Sequence, residues 1–147
     1  MVNFVTDKNK IIDLWQEAFG DSREEILYFI DNLKNGKCIG ISEFDELASM
    51  LFLVKCNFGS YIYAACTRKK YRDSGYMTEL LDYAKGNESP LCLIPASDSL
   101  VDFYYKRGFT EHAHIEDICF DECDGIKEYL LEGYSLTDPQ VMIYKEV

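Results

Sequence analysis

The spacing of apolar residues predicts two amphipathic helices in the first third of the chain. Apolar side chains recur every three or four positions from about Lys8 to Phe19, and again over the run that ends at Asn35-Gly36. A glycine, Gly20, separates the two runs, as is typical of a helix end. The predicted capping residues are Thr6 or Asp7 for the first helix and Asp21 or Ser22 for the second.

The middle of the chain has the short, turn-bounded apolar runs of β-strands. The predicted strands are residues 1–5, 37–42, 47–55 and 60–66, with a helix over 76–85. The next run, residues 91–94, is wholly apolar, which is typical of a strand buried on both faces. We therefore expect it to pair in parallel with the strand at 60–66.

The last third predicts a helix over 99–107, a long strand over 109–120, a helical turn near 126–131 and a final strand over 140–146. The long final strands favour an antiparallel end to the sheet. Taken in order, the elements predict one α/β domain with a mixed sheet and helices on both of its faces.

Composition narrows the class of protein. The chain has 147 residues, of which 48% are hydrophobic and 14% aromatic, as expected for a globular domain. It contains neither a membrane-length apolar run nor the pattern of a secretory signal near Met1. Its six scattered cysteines fit reduced thiols in a cytoplasmic protein. Cys119 and Cys123 have only loose metal-like spacing, so no metal is predicted.

Positive charge is concentrated in one short segment of an acidic chain. The formal net charge is −11, yet four of the five residues from Arg68 to Arg72 are cations. A predicted strand leads into this basic turn and a predicted helix leaves it after Gly75. Free amides at a helix start bind anions, so the turn indicates a phosphorylated ligand. The acidic remainder argues against nucleic acid or an anionic membrane as a partner and suits a cationic small molecule.

A first motif lies where the basic turn meets the helix. Tyr71 and Arg72 are followed two residues later by Gly75, Tyr76 and Met77. This order resembles the acyl-CoA signature Arg/Gln-x-x-Gly-x-Gly/Ala of the Gcn5-related N-acetyltransferase (GNAT) family, often preceded by tyrosine. Met77 departs from that pattern, because the family often has glycine or alanine there, so its side chain must point away from the phosphates.

A second motif strengthens the resemblance. Tyr104, Gly108 and Phe109 are similar to the Tyr-x-x-x-Gly-Phe ending of the helix that flanks the cofactor in the same family. One helix and one apolar strand separate the two motifs, as in the family. The resemblance implies a mostly antiparallel central sheet with a splayed parallel strand pair. It also implies direct transfer of an acetyl group from acetyl-CoA to an amine.

The resemblance assigns the basic turn and its neighbours to acetyl-CoA, bound as co-substrate. Amides at the helix start would bind the pyrophosphate, with help from cationic side chains that include Lys69. The main chain at the end of the preceding strand would bind the pantetheine arm. The predicted cofactor-binding residues are Ala65, Cys66, Thr67, Arg68, Arg72, Asp73, Ser74, Gly75, Tyr76, Met77, Thr78 and Ser97. Ser97 or Asp98 has the alternative of capping the next helix.

Tyr104 is the candidate general acid, because the family's tyrosine at this position protonates the departing CoA thiolate. A phenol with an ordinary pKa near 10 is protonated at neutral pH, as this role requires. Tyr105 competes if the register shifts by one residue, and a purely structural core tyrosine is the other alternative. Cys66 lies near the expected acyl site but lacks a local histidine, which disfavours a nucleophilic role.

The general base stays open among three carboxylates, Glu43, Glu111 and Glu116. His112 and His114 alternate along a predicted strand and would share one face, as a base, a metal pair or two surface imidazoles. Surface imidazoles are the preferred interpretation, since no third ligand is nearby.

Other functions remain open at this point. A non-catalytic acyl-CoA-binding or protein-interaction module would keep the fold and lack turnover. A nucleotide-binding protein is disfavoured, because the turn lacks a P-loop ending. The acceptor is a small-molecule or protein amine, and the family often forms homodimers. Aromatic residues and carboxylates in the predicted acceptor segments are compatible with an amine; the aromatic residues are Trp15, Phe19, Phe29, Phe44 and Tyr134.

Overall fold

The fold is built on one mixed sheet flanked by helices, as seen in a computed structural model that describes residues 1–121 and 124–145. The strands are β1 (Asn3–Phe4), β2 (Gly36–Glu43), β3 (Glu46–Cys56), β4 (Gly59–Thr67), β5 (Leu91–Leu93), β6 (Glu111–Ala113) and β7 (Val141–Tyr144). The helices are α1 (Lys8–Phe19), α2 (Arg23–Asn32), α3 (Tyr76–Glu88), α4 (Asp98–Tyr105) and α5 (Lys127–Leu130). In the described chain the strand order is β1-β2-β3-β4-β5-β7-β6.

Alternation along β3 divides the core between the two faces of the sheet. Met50 and Phe52 pack with α1 and α2 in one cluster, whereas Leu51 and Leu53 pack with α3 and Tyr104 of α4 in the other. Successive side chains of a strand point to opposite faces, so a nearly continuous apolar strand supplies both clusters. The predicted sheet with helices on both faces is therefore confirmed.

The predicted N-caps of the first two helices and the predicted end of the first helix at Gly20 are confirmed. The Asp7 carboxylate accepts hydrogen bonds from two amides of the first turn of α1, and Gly20 ends that helix with a φ of 75°. Ser22 and Glu25 form a capping box at the start of α2. These caps satisfy amides that no helical carbonyl reaches.

The predicted parallel pair is present but short. β4 and β5 pair only at Ser60 with Leu91 and at Tyr61 with Cys92. Every other strand pairing described in the sheet is antiparallel, including the predicted antiparallel end formed by β6 and β7. The sheet is thus mostly antiparallel with one parallel pair.

The predicted long strand over 109–120 is wrong. Only Glu111–Ala113 forms a strand, and a 3₁₀ turn follows at Ile115–Asp117. Phe109 and Ile118 are nonetheless buried, so the apolar pattern reflects packing of a folded-back connection rather than a continuous strand. The predicted strand over 140–146 is shorter, at Val141–Tyr144, and its last residue lies outside the described part.

Within residues 1–121 and 124–145, no helix combines the length and apolar character that a membrane crossing requires. Cysteines 38, 56, 66, 92 and 119 are free thiols, and Cys123 lies outside the described residues.

Candidate functional site

A crevice opens in the sheet where β4 and β5 separate. Their pairing stops at Tyr61 and Cys92, yet β4 continues six residues further to Thr67. A bulge in β4 accompanies the separation. Ala64 and Ala65 together face a single position of β3, and Ala64 has a φ of 54°. In the described chain, no strand pairs with the edge of β4 that faces β5 from Ile62 to Thr67, so its backbone polar groups border the crevice.

The basic turn follows directly at the end of this open edge. Residues Lys69–Tyr71 form a 3₁₀ turn, and α3 begins at Tyr76. Across the described residues, none of the six backbone amides from Asp73 to Thr78 donates a hydrogen bond, and Gly75 offers no side-chain cap. The helix dipole adds partial positive charge to the same place. The start of α3 is therefore free to receive an anion.

Two residues before α3 have left-handed backbone conformations. Gly75 has a φ of 82°, in the left-handed region that glycine adopts without strain, and Asp73 has a φ of 64°. Apart from Gly75 and its chain neighbours, no atom of the described residues lies within 4 Å of where a Cβ of residue 75 would be, so the space beside Gly75 is open. A ligand oxygen can approach the main chain there.

Arg72 and Arg68 have different environments. Arg72 is exposed, and its Nε donates to the Thr67 carbonyl oxygen at 3.2 Å, which leaves both terminal nitrogens without a partner in the described chain. Arg68 is 6% exposed, and its guanidinium contacts the carboxylates of Asp13, Glu17 and Glu46. Its Nε also donates to the Leu47 carbonyl oxygen at 3.1 Å.

The main chain at Lys69 and the ammonium of Lys70 are held by carboxylates behind the turn, whereas the Lys69 ammonium has no partner in the described chain. The Lys69 amide donates to Glu17 Oε2 at 2.9 Å, and the Lys70 ammonium pairs with Glu46. The hydrogen bond from Lys70 keeps the pKa of Glu46 below its ordinary value. These contacts fix the turn against α1 and β3 while leaving its amides from residue 73 onward free.

The side chains near the start of α3 leave the amides accessible. Met77 packs against the apolar cluster under α3, which is the orientation required by its departure from the family pattern. The Tyr76 hydroxyl donates to Glu43 Oε1 at 2.9 Å. The Thr67 hydroxyl hydrogen-bonds Ser49 at 2.9 Å.

A cavity of about 410 Å³ extends through the crevice. It is bounded by residues 61–65 of β4, by β5 and the segment after it, and by Leu100 and Tyr104 of α4. On the opposite face it reaches Trp15 and Phe19 of α1 and the segment around Gly133. The cavity therefore connects the two faces of the sheet, with α4 at one end and α1 and α2 at the other.

Tyr104 lies at the α4 end of the cavity. It is 9% exposed, and its hydroxyl has no hydrogen-bond partner in the described residues. The hydroxyl oxygen is nevertheless not fully enclosed. Burial raises its pKa to about 12, although the charge of Arg107 works in the opposite direction. The phenol is therefore protonated at neutral pH. Tyr105, the alternative, is 53% exposed and does not line the cavity.

The structure separates several predicted residues from the cavity. Glu43, Glu111 and Glu116 do not line it; Glu43 bonds Tyr76 and Glu111 pairs with Lys145. The carboxylates that do line it are Asp21, Glu25 and Glu132, which sequence reasoning missed as individual residues. Of the predicted acceptor aromatics, Trp15, Phe19 and Tyr134 line the cavity, Phe29 is core and Phe44 is 89% exposed.

The predicted cap of α4 is confirmed in position but not in its side-chain contact. Ser97 occupies the cap position, but its hydroxyl bonds Ser99 at 2.9 Å and not an amide of the helix. The Asp98 carboxylate accepts from the amide and hydroxyl of Thr137. Both residues thus join α4 to the 135–137 segment, because Ser97 also bridges to Ser135.

His112 and His114 are both exposed, as the preferred interpretation of two surface imidazoles has it. His112 lies in β6, whereas His114 comes after the strand and precedes a 3₁₀ turn. Among residues 1–121 and 124–145, no three His, Cys, Asp or Glu side chains are grouped to hold a metal ion. Burial raises the pKa of the Cys66 thiol to about 12, which does not suit a nucleophile at neutral pH.

Comparison with solved structures identifies the fold. An acetyltransferase of the GNAT family from Bacillus cereus has a TM-score of 0.62 at 18% identity, covering 100% of this chain and 99% of that one. A GNAT family acetyltransferase from Elizabethkingia anophelis, with acetyl-CoA bound, has a TM-score of 0.63 at 17% identity, covering 99% of this chain and 97% of that one. The chain has the GNAT fold.

A third GNAT family acetyltransferase, from Staphylococcus aureus, gives a TM-score of 0.63 at 15% identity, with 99% of this chain and 100% of that one covered. No family model matches the sequence. No curated protein matches it either. The likeness thus concerns the GNAT fold, and the assignment of chemistry rests on the site itself.

Proposed function

We propose that the protein is an acyl-CoA-dependent N-acyltransferase that transfers an acetyl group from acetyl-CoA to an amine. The observation that carries this proposal is the run of six unpartnered amides, Asp73 to Thr78, at the end of the open edge of β4. Such a run is costly to leave without partners unless water or an anion satisfies it.

The residues present fit the pyrophosphate and the pantetheine arm of acetyl-CoA. The free amides and the two terminal nitrogens of Arg72 would bind the pyrophosphate. The unpaired edge of β4, at Ala65 to Thr67, would hydrogen-bond the amides of the pantetheine arm. Arg68 is left out of this proposed set, because its nitrogens are engaged inside the protein. For Ser97 the contacts with Ser99 and Ser135 support a structural role instead.

The chemistry needs few groups once the reactants are positioned. The ammonium of the acceptor first loses a proton, through water, to a cavity carboxylate. The neutral amine attacks the thioester carbonyl and a C–N bond forms. The nitrogen then gives up its second proton to water, and the C–S bond breaks. Tyr104 donates its proton to the departing thiolate and recovers one from solvent. The net products are an amide, CoA thiol and one proton.

The position of the cavity supports binding of the two reactants from opposite faces of the sheet. Tyr104 belongs to the cluster on the α3 and α4 face, whereas Trp15 belongs to the cluster on the α1 and α2 face. The crevice joins both ends. The thioester would therefore enter from one face of the sheet and the amine from the other, as direct transfer requires.

The test is release of free CoA thiol from acetyl-CoA in the presence of a panel of amines. Calorimetric binding of acetyl-CoA is measured in parallel. The proposal expects binding and amine-dependent thiol release. Binding without thiol release for any amine would favour the non-catalytic acyl-CoA-binding module, and absence of binding would overturn both.

A further inference from the structure

The end of the cavity opposite Tyr104 is lined by three carboxylates that lack counter-ions. Asp21, Glu25 and Glu132 border the cavity, and no described Lys, Arg or His pairs with any of them or lines the cavity beside them. Asp21 accepts from the Trp15 indole at 2.8 Å through one oxygen, and Glu25 accepts from Ser22 through one oxygen. Each keeps a second oxygen that no atom of residues 1–121 or 124–145 contacts as a hydrogen-bond partner.

The negative charge of these carboxylates affects the pKa values of two tyrosines of the cavity, Tyr63 and Tyr129. Burial, followed by the charges of Asp21 and Glu132, raises the pKa of Tyr63. Burial, followed by the charge of Glu25 and by other neighbours that include Glu132 and Asp21, raises the pKa of Tyr129. All three carboxylates therefore act on one small region of the cavity wall.

Aromatic rings surround the same region. Trp15, Phe19, Tyr63, Tyr129 and Tyr134 line the cavity there, and Trp15 packs edge-on against Phe19 and Tyr63. Aromatic faces and unpaired carboxylates both attract cations. At the far end, the unpartnered and nine-tenths buried Tyr104 marks where the reacting group arrives.

Resting on the proposed function, we infer that the acceptor is a small amine that carries a second positive charge and no carboxylate. The attacking nitrogen must become neutral before it reacts, so it cannot satisfy three carboxylates by itself. A second ammonium held among Asp21, Glu25 and Glu132 would remain charged throughout the reaction. A carboxylate on the substrate would be repelled by the same three groups.

Three probes of equal chain length test this class. Cadaverine has an ammonium at both ends, n-pentylamine has one ammonium, and δ-aminovalerate has one ammonium and one carboxylate. We expect kcat/KM for cadaverine to exceed that for n-pentylamine by about tenfold, since several partly exposed ion pairs together contribute on the order of one factor of ten. We expect δ-aminovalerate to be the poorest of the three.

Charge-neutral variants locate the selectivity. Glu132→Gln and Glu25→Gln should each lower the ratio of kcat/KM for cadaverine over n-pentylamine by about threefold to fivefold. In Glu25→Gln the side-chain amide oxygen would still accept from Ser22, so the capping of α2 is kept. Glu24→Gln is the matched control, because Glu24 is exposed in the same helical turn and does not line the cavity. It should leave the ratio unchanged.

The outcomes separate this inference from the proposed function. If thiol is released but n-pentylamine or δ-aminovalerate equals cadaverine, the substrate class is wrong and the transferase proposal stands. If CoA binds without turnover, thermal shifts of the CoA-saturated protein still rank the three amines, and an equal ranking overturns the class. If CoA does not bind, the proposed function fails, and the thermal shifts of the free protein provide the ranking.

Discussion

Arg68 Nη2 lies 2.9 Å from Asp13 Oδ2, and this ion pair joins the start of the basic turn to helix α1. Glu17, one turn further along α1, contacts both the Arg68 guanidinium and the Lys69 amide. The helix on one face of the sheet thus holds the turn in place from behind. Arg68, the buried cation of the turn, forms this anchor. Arg72 instead has both terminal guanidinium nitrogens unpaired in the described chain.

The two arginines should therefore respond differently to substitution. Arg68→Met leaves Asp13, Glu17 and Glu46 without their shared cation and should cost about 2–3 kcal/mol of unfolding free energy, below the usual range for a buried pair because the carboxylates are partly exposed. Arg72→Met should leave stability unchanged and weaken acetyl-CoA binding about tenfold. Urea unfolding and calorimetry measure the two effects, and reversed effects would contradict the assignment.

Replacement of Gly75 tests the backbone of the proposed anion site. Gly75→Ala forces an L-residue into the left-handed region and should cost about 1–2 kcal/mol of stability. It also adds a methyl group in the open space at Gly75, within the run of free amides, so acetyl-CoA affinity should fall. Gly20→Ala is the matched control, because Gly20 has a φ of 75° and equally open surroundings at the end of α1. It should show the same loss of stability with acetyl-CoA affinity intact.

Tyr104→Phe tests the proposed general acid. Removal of the hydroxyl should lower kcat by about a hundredfold or more and leave the Kd of acetyl-CoA nearly unchanged. Tyr105→Phe serves as the control, since that neighbouring ring lies outside the cavity. Equal effects of the two substitutions on steady-state kcat would show that Tyr104 has no special role.

Alkaline pH should destabilise the protein. Burial raises the pKa of Tyr104 from 10.0 to about 12 and also raises the pKa values of Tyr61 and Tyr63. Above pH 10 the unfolded chain releases these protons while the native state retains them, so the free energy of unfolding falls as pH rises. The expected slope is at least about 1.4 kcal/mol per pH unit. Urea unfolding at a series of pH values measures it, and a flat or rising profile would contradict the burial of these phenols.

Local signals made most of the fold predictable from the sequence. The caps at Asp7 and Ser22, the glycine at position 20 and the apolar alternation of β3 each act within a few residues. The run at 91–94 is wholly apolar, which indicated a strand buried on both faces, and such burial is typical of parallel pairing. The strand over 109–120 failed because Phe109 and Ile118 are buried by tertiary packing, which an apolar pattern alone does not distinguish from a strand.

Only the part of the site that is formed by residues close together in the sequence was predictable. The glycine, the basic turn and the following helix pointed to free amides. The bulge at Ala64 has no glycine to mark it, although it accompanies the opening of the crevice. The sequence alone suggested that Arg68 binds a ligand. Its partner Asp13 lies on α1, more than 50 residues earlier, so its anchoring role depends on the tertiary fold. The carboxylates of the cavity come from α1–α2 and the 131–134 segment, whose meeting depends on the whole fold.

The most direct test of the account compares acetyl-CoA with S-acetylpantetheine by calorimetry. Both carry the same thioester and arm, but only acetyl-CoA carries the phosphates that the amides of residues 73–78 would bind. We predict that acetyl-CoA binds at least about a hundredfold more tightly, as several charge-assisted hydrogen bonds require. Equal affinity for the two compounds, or no binding of acetyl-CoA, would contradict the account.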